Sequence, residues 1–200
     1  MPALAHLKLL ATYNAWMNAK VYDAAAKLPA QELAADRGAF FGSILGTLNH
    51  LVVADTIWLK RFATHPAQHP ALEPLRKTAM PAALNQILFA ELPALRAHRD
   101  RLDAAISEWI AALTDADLQH VLHYANTKGV PAKKHFGTLL VHFFNHQTHH
   151  RGQAGTLLFQ AGQDVGITDL LALIPDEAGA QSANGIKKPA QRPAFLRNQQ

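Results

Sequence analysis

Apolar residues recur at spacings of three and four over four long stretches of the chain, the period of a helix that buries one face. In the first stretch Leu7, Leu10, Met17, Val21, Ala24 and Leu28 share one side. Pro2 suits a first helical turn and Pro29 blocks continuation, so the spacing predicts a helix over residues 2–28. Ser43 is the N-cap expected for a second helix, over 44–63. Its apolar residues run around the whole circumference, with Leu48, Val52, Leu59 and Phe62 on one side and Val53 and Ile57 on the other. A helix of that kind is buried on both sides, and His50 lies within it. A third helix is expected over 81–113, kinked or split at Pro93. Residues 114–134 are irregular, with alternation around Val121–Ala125 and a turn at Gly129, Val130 and Pro131 that allow short strands. The fourth helix is expected over 134–161, stopped by Gly162. A short fifth is expected behind Thr168, ending before Pro175. The pattern as a whole predicts an all-α fold, an up-and-down four-helix bundle with a short extra C-terminal helix over residues 1–175. Residues 176–200, rich in Ala, Gln, Gly, Pro and Lys, are expected to form a mobile basic tail.

Composition narrows the class. Hydrophobic residues make up 49% of the chain and charged residues 17%, a blend for a large buried core and not for disorder. No apolar run is long enough to cross a bilayer, so no membrane association is expected. The chain has no cysteine, which fits a cytoplasmic location and means that any thiol in its chemistry must come from a co-substrate. The net charge of +4 is split between tail and body. The body's basic residues are scattered and form no stripe for a phosphate backbone, so no nucleic-acid partner is expected.

Twelve histidines carry the candidate chemistry. His142, His146 and His150 are spaced by four and stack along one face of the fourth helix. Neutral imidazole is the commonest protein ligand for transition metals. Two imidazoles at i and i+4 can reach one ion, whereas the outer two of the three lie about 12 Å apart along the axis. A third ligand must therefore come from another helix, and His50, on a mostly apolar helix, is the best candidate. Geometry leaves open whether the pair is His142 with His146 or His146 with His150.

The stretch Phe144, Asn145, His146, Gln147, Thr148, His149, His150, Arg151, Gly152, Gln153 resembles the fourth-helix motif of the DinB family. Thr47, Leu48, Asn49 and His50, followed by Asp55 and Trp58, are similar to that family's second-helix motif. Tyr13–Trp16 resembles its first helix and Gly166–Leu170 its fifth, so the likeness covers residues 3 to 175. The resemblance implies that His50, His146 and His150 hold one divalent metal ion, with His142 as a neighbour on the same face. Three protein ligands leave a coordination position open, which is the catalytic pattern. Zinc or nickel suits imidazole. The resemblance further implies thiol-dependent transferases or isomerases that use a low-molecular-weight thiol on small-molecule substrates. The alternative is a metal-stabilised stress or binding protein without turnover. The helix lacks the His-Glu-x-x-His string of metalloproteases and the inward glutamates of di-iron bundles, so neither chemistry is expected.

Other side chains fill out the expected site. Asp55 sits in an apolar run and is expected to pair with Arg61 or Arg151, or to orient a ligand. Arg151 is expected in a structural ion pair ahead of an anionic substrate. Asn14, Tyr13 and Tyr124 are candidates to face the pocket. Trp16, Trp58 and Trp109 read as core. His6, His65, His69, His98, His120, His123, His135 and His149 read as solvated. No general acid or base stands out. The apolar girth of the second helix, together with the resemblance, points to a homodimer.

Overall fold

A computed structural model describes residues 3–176. The tail expected from residue 176 onward therefore lies outside the described residues, apart from Asp176.

Helix α1 (Ala3–Ala25) ends one turn before Pro29, which instead precedes a single-turn α2 (Ala30–Ala34). Helix α3 (Ile44–Phe62) begins where expected, with Ser43 Oγ accepting from Gly46 N at 2.9 Å. A 3-10 turn (Pro70–Leu72) runs into the short α4 (Glu73–Lys77). Helix α5 (Leu92–Ala112) is followed by α6 (Asp115–Leu118), closed by a capping box between Thr114 and Asp117. Strands β1 (Val121–Ala125) and β2 (Pro131–His135) pair antiparallel, Val121 opposite His135. Helix α7 (Phe136–Gln160) follows directly, and Gly162 takes a positive φ just past its end. The extra C-terminal element is a 3-10 turn, Leu170–Leu173, rather than an α-helix.

The four long helices α1, α3, α5 and α7 form the bundle. At its centre Phe62 packs on Trp109, Phe136 and Phe143, with ring centroids 5.2, 5.4 and 5.7 Å away. Rings at these separations add edge and stacking attraction to a large burial of apolar surface.

The wiring departs from an alternating up-and-down order. Asp55 meets Arg99 and Phe62 meets Trp109, so α3 and α5 run the same way. Asn14 meets Asp103 and Asp23 meets Arg96, so α1 opposes α5. Helix α3 opposes α7, because His50 meets His150 while Phe62 meets Phe136. The order is up, down, down, up. Parallel neighbours need a long return connection, and residues 63–91 supply it. The first part of the third helix expected from residue 81 is the last stretch of this return, and helix begins only at Leu92, with Pro93 in its first turn. That position suits proline because its missing N–H has no partner to lose there.

Side chains of α3 anchor the returning chain. Lys60 Nζ donates to the carbonyls of Leu75 and Arg76, both at 3.0 Å. Nearer the start of α3, Asn49 Oδ1 accepts from Leu88 N at 2.9 Å and Phe89 N at 3.0 Å, and its Nδ2 donates to Phe89 O at 3.0 Å. Buried backbone polar groups require such partners. With α5 and α7 on one side and the return on the other, α3 is covered within one chain. Its apolar girth is thereby explained without a second copy.

Candidate metal centre

His50 occupies the second turn of α3, and His146 and His150 the middle of α7. Antiparallel packing of the two helices brings the three rings together. The His50 centroid lies 5.3 Å from His146 and 4.4 Å from His150, and the latter two are 4.4 Å apart. One nitrogen from each ring lies within 4.8 Å of the others. Among the pairs left open by spacing, His146 with His150 is the one that meets His50.

Two of the rings are oriented by oxygen acceptors. His50 Nδ1 is 2.8 Å from Leu84 O, and a carbonyl accepts only, so Nδ1 carries the proton and Nε2 a lone pair. His150 Nδ1 is 2.7 Å from Gln153 Oε1, with the same consequence. A hydrogen bond from the second ring nitrogen is the usual device for aiming an imidazole at a metal. His50 Nε2 is enclosed and has no hydrogen-bond partner. An orphaned buried nitrogen is costly unless something binds it.

Burial keeps the cluster neutral. It pushes the His50 imidazole down to about 4, against the pull of the Leu84 carbonyl. Burial, followed by the neighbouring His150 and His50, pushes His146 down to about 3. His150 is lowered too, chiefly by burial. Three neutral imidazoles whose nitrogens converge are a donor set compatible with a divalent metal.

The cover over His50 was not legible in the sequence. Phe41 stacks on the His50 ring at 3.7 Å and meets His150 edge-on at 5.5 Å. Its loop reaches this position because position 46 is glycine. A Cβ on Gly46 would stand 2.1 Å from Phe41 O, well inside contact distance. The Leu84 carbonyl has no local sequence signal for a related reason: it belongs to the return connection, whose residues from 81 onward carry the pattern expected of a helix.

The remaining expected site residues divide into two groups. His142 stays beside the cluster without joining it, 6.0 Å from His146 and edge-on to Trp58 at 5.1 Å. Tyr124, on β1, lies 5.5 Å from Trp58 and borders a cavity of about 1020 Å³ between α3, the hairpin and residues 80–84. Leu84 also borders that cavity, so the carbonyl that orients His50 belongs to its wall. Arg61 lies over the Trp58 and Tyr124 rings at 4.7 and 5.0 Å. Among the described residues it pairs with no carboxylate.

Asn14, Asp55 and Arg151 form a buried network with partners other than the imidazoles. The expected pairing of Asp55 with Arg61 or Arg151 is corrected: Asp55 pairs with Arg99 of α5. Arg99 also reaches Asp103 at 2.9 Å, and Asp103 accepts from Asn14 and Asn18 at 2.9 to 3.0 Å. Arg151 donates to Asn14 Oδ1. Among the described residues it has no carboxylate partner, and burial pushes it down to about 10. Burial works to discharge Arg99, but Asp103 and Asp55 outweigh it and hold the guanidinium charged.

A helical bundle with this convergence on α3 and α7 agrees with the match to the DinB family model, which extends over residues 1–182. The chain belongs to the DinB family. No curated protein and no solved structure matches it. Within this DinB protein the motif residues of α3 and α7 are the ones that meet, and Gln153, the last residue of the α7 motif, orients His150. Two histidines read as solvated, His65 and His69, are buried, at 5% and 7% exposure.

Proposed function

We propose that this DinB protein is a metal-dependent enzyme whose divalent ion, zinc or nickel, is held by His50, His146 and His150, and that it joins a low-molecular-weight thiol to a small electrophile. The observation that carries the reading is the orphaned Nε2 of His50, enclosed beside two further imidazoles and aimed by a carbonyl on its far side. A divalent ion bound there would lower the pKa of a thiol and favour the thiolate, the form that attacks carbon.

The chain's own residues would do the rest. Leu84 O and Gln153 Oε1 hold the tautomers of His50 and His150, so the two rings need not turn to bind. Phe41 excludes water from one side of the cluster. The cavity bordered by Leu84, Ile57 and Tyr124 offers an apolar wall to the electrophile. Arg61, paired with no carboxylate among the described residues and braced on two aromatic rings, supplies a cation for an anionic group on the thiol compound or the electrophile. With an aryl chloride the sulfur–carbon bond forms, the carbon–chlorine bond breaks, chloride leaves and the thiol proton passes to solvent.

The test uses untagged full-length protein, stripped with chelator and reloaded with zinc or nickel. Glutathione and a chlorinated nitrobenzene or an epoxide are supplied, and product formation is followed. A metal-dependent rate above background, lost in His146→Ala, supports the proposal. Retained metal and a large chelator-induced loss of thermal stability, with no turnover on either electrophile, would favour the non-catalytic alternative instead.

A further inference from the structure

A second group of metal-ligating side chains lies at the opposite end of α3 from His50. His65 follows the C-terminus of α3, His69 precedes the 3-10 turn at Pro70, and Asp117 is in α6. Helix α3 runs twelve residues past His50 to Phe62, a rise of roughly 18 Å, and His65 lies beyond its end, so one ion cannot serve both groups.

Several features converge on a cation at this place. One nitrogen of each histidine and one oxygen of Asp117 lie within 4.8 Å of one another. Both imidazoles are more than nine-tenths buried, and Nε2 of each is enclosed without a hydrogen-bond partner. Among the described residues no carbonyl reaches either Nε2. The carboxylate is already positioned: its Oδ2 accepts from Thr114 N and Thr114 Oγ1, both at 2.8 Å. Oδ1 is left facing His65, 4.0 Å from its Nδ1. His65 Nδ1 accepts from Ala67 N at 3.1 Å, which leaves the ring proton on Nε2, so an ion takes Nε2 only in the other tautomer, with the proton moved to Nδ1 on the side of Asp117 Oδ1 and the Ala67 contact given up. The ring is held by Phe136 at 4.7 Å and by His120 edge-on at 4.6 Å.

We infer that His65, His69 and Asp117 form a second divalent-metal site, with zinc as the fitting ion, that ties the loop after α3 to α6. Two imidazoles and one carboxylate are a common zinc donor set, completed by solvent. Tetrahedral ligands about 2.0–2.1 Å from zinc stand about 3.3 Å from one another, so binding draws the three groups inward by an ångström or so. The ion satisfies both orphaned rings at once and joins segments some fifty residues apart in the chain. Its role is a clip for the bundle end, and it does not depend on the three-histidine reading.

The experiment is zinc titration of untagged, chelator-stripped full-length protein by calorimetry, with circular dichroism as the control for folding. Wild type is expected to take up two equivalents, and His146→Ala/His150→Ala one. His69→Ala is expected to take up one, and the triple variant none. Should His69→Ala unfold, Asp117→Asn serves in its place. The amide oxygen still caps Thr114 while the metal-facing oxygen becomes an NH2 group, and zinc affinity at this site should fall at least tenfold. Zinc should also raise the Tm of His146→Ala/His150→Ala, and much less when Asp117→Asn is added. A single equivalent in wild type that disappears in His146→Ala/His150→Ala would overturn the inference. Two equivalents undiminished by His69→Ala and Asp117→Asn would overturn it equally.

Discussion

At the scale of the residue, the cluster depends on which nitrogen of each histidine is engaged. His50 and His150 give Nδ1 to oxygen acceptors and keep Nε2 for the centre. Burial lowers His50 to about 4 and His146 to about 3, against an ordinary value of 6.5. The folded chain therefore takes up fewer protons than the unfolded chain between pH 6.5 and these values. By linkage these two groups cost the metal-free protein no stability above pH 6.5, and they destabilise it progressively as the pH falls toward 4 and then 3. Urea unfolding of chelated protein at several pH values should show this slope. His50→Asn combined with His146→Asn should flatten it, and an unchanged slope would mean that other groups carry the acid sensitivity. For a ligand set this is an advantage, because protons do not compete with the metal near neutrality.

At the scale of the element, α3 organises the site on two fronts. Its N-terminal end admits the loop that carries Phe41, and its polar side chains hold the return connection that carries Leu84. Gly46→Ala sets a methyl carbon against Phe41 O, so the loop must shift and Phe41 must leave His50. The expected outcome is a more accessible centre with the metal retained: faster loss of zinc to chelator, a stability cost of about 1–3 kcal/mol from the clash, and unchanged stoichiometry. Zinc release at the wild-type rate would show that Phe41 does not cover the centre. The return connection was illegible in the sequence for a physical reason. Residues 81–91 form no helix here, and their register is set by hydrogen bonds to Asn49 and His50, which stand about forty positions earlier in the chain.

At the scale of the whole molecule, a buried charged network joins α1, α3, α5 and α7. Arg99 sits between Asp55 and Asp103, and Asn14 and Asn18 link Asp103 to Arg151. Removing one partner of a buried pair leaves the other charge without compensation, a loss of about 3–5 kcal/mol. Asp55→Ala should therefore lower the urea midpoint strongly while leaving zinc stoichiometry unchanged. Arg99→Met combined with Asp55→Leu and Asp103→Asn should recover part of the loss, since it removes all three buried charges together and leaves none without compensation. Lost metal without lost stability in Asp55→Ala would place that carboxylate at the metal centre instead.

Local pattern alone determined that four helices form, where α3 starts, and that a strand pair is possible ahead of α7, since periodicity, capping and turn residues act over a few positions. The α7 spacing narrowed the ligands to two pairs, and the family likeness chose between them. Tertiary structure alone decided the parallel run of α3 and α5, the partner of Asp55, the Phe41 cover and the burial of His65 and His69. Each of these depends on which distant segment arrives at a surface. A polar side chain in sequence looks the same whether water, a carbonyl or a second imidazole will meet it.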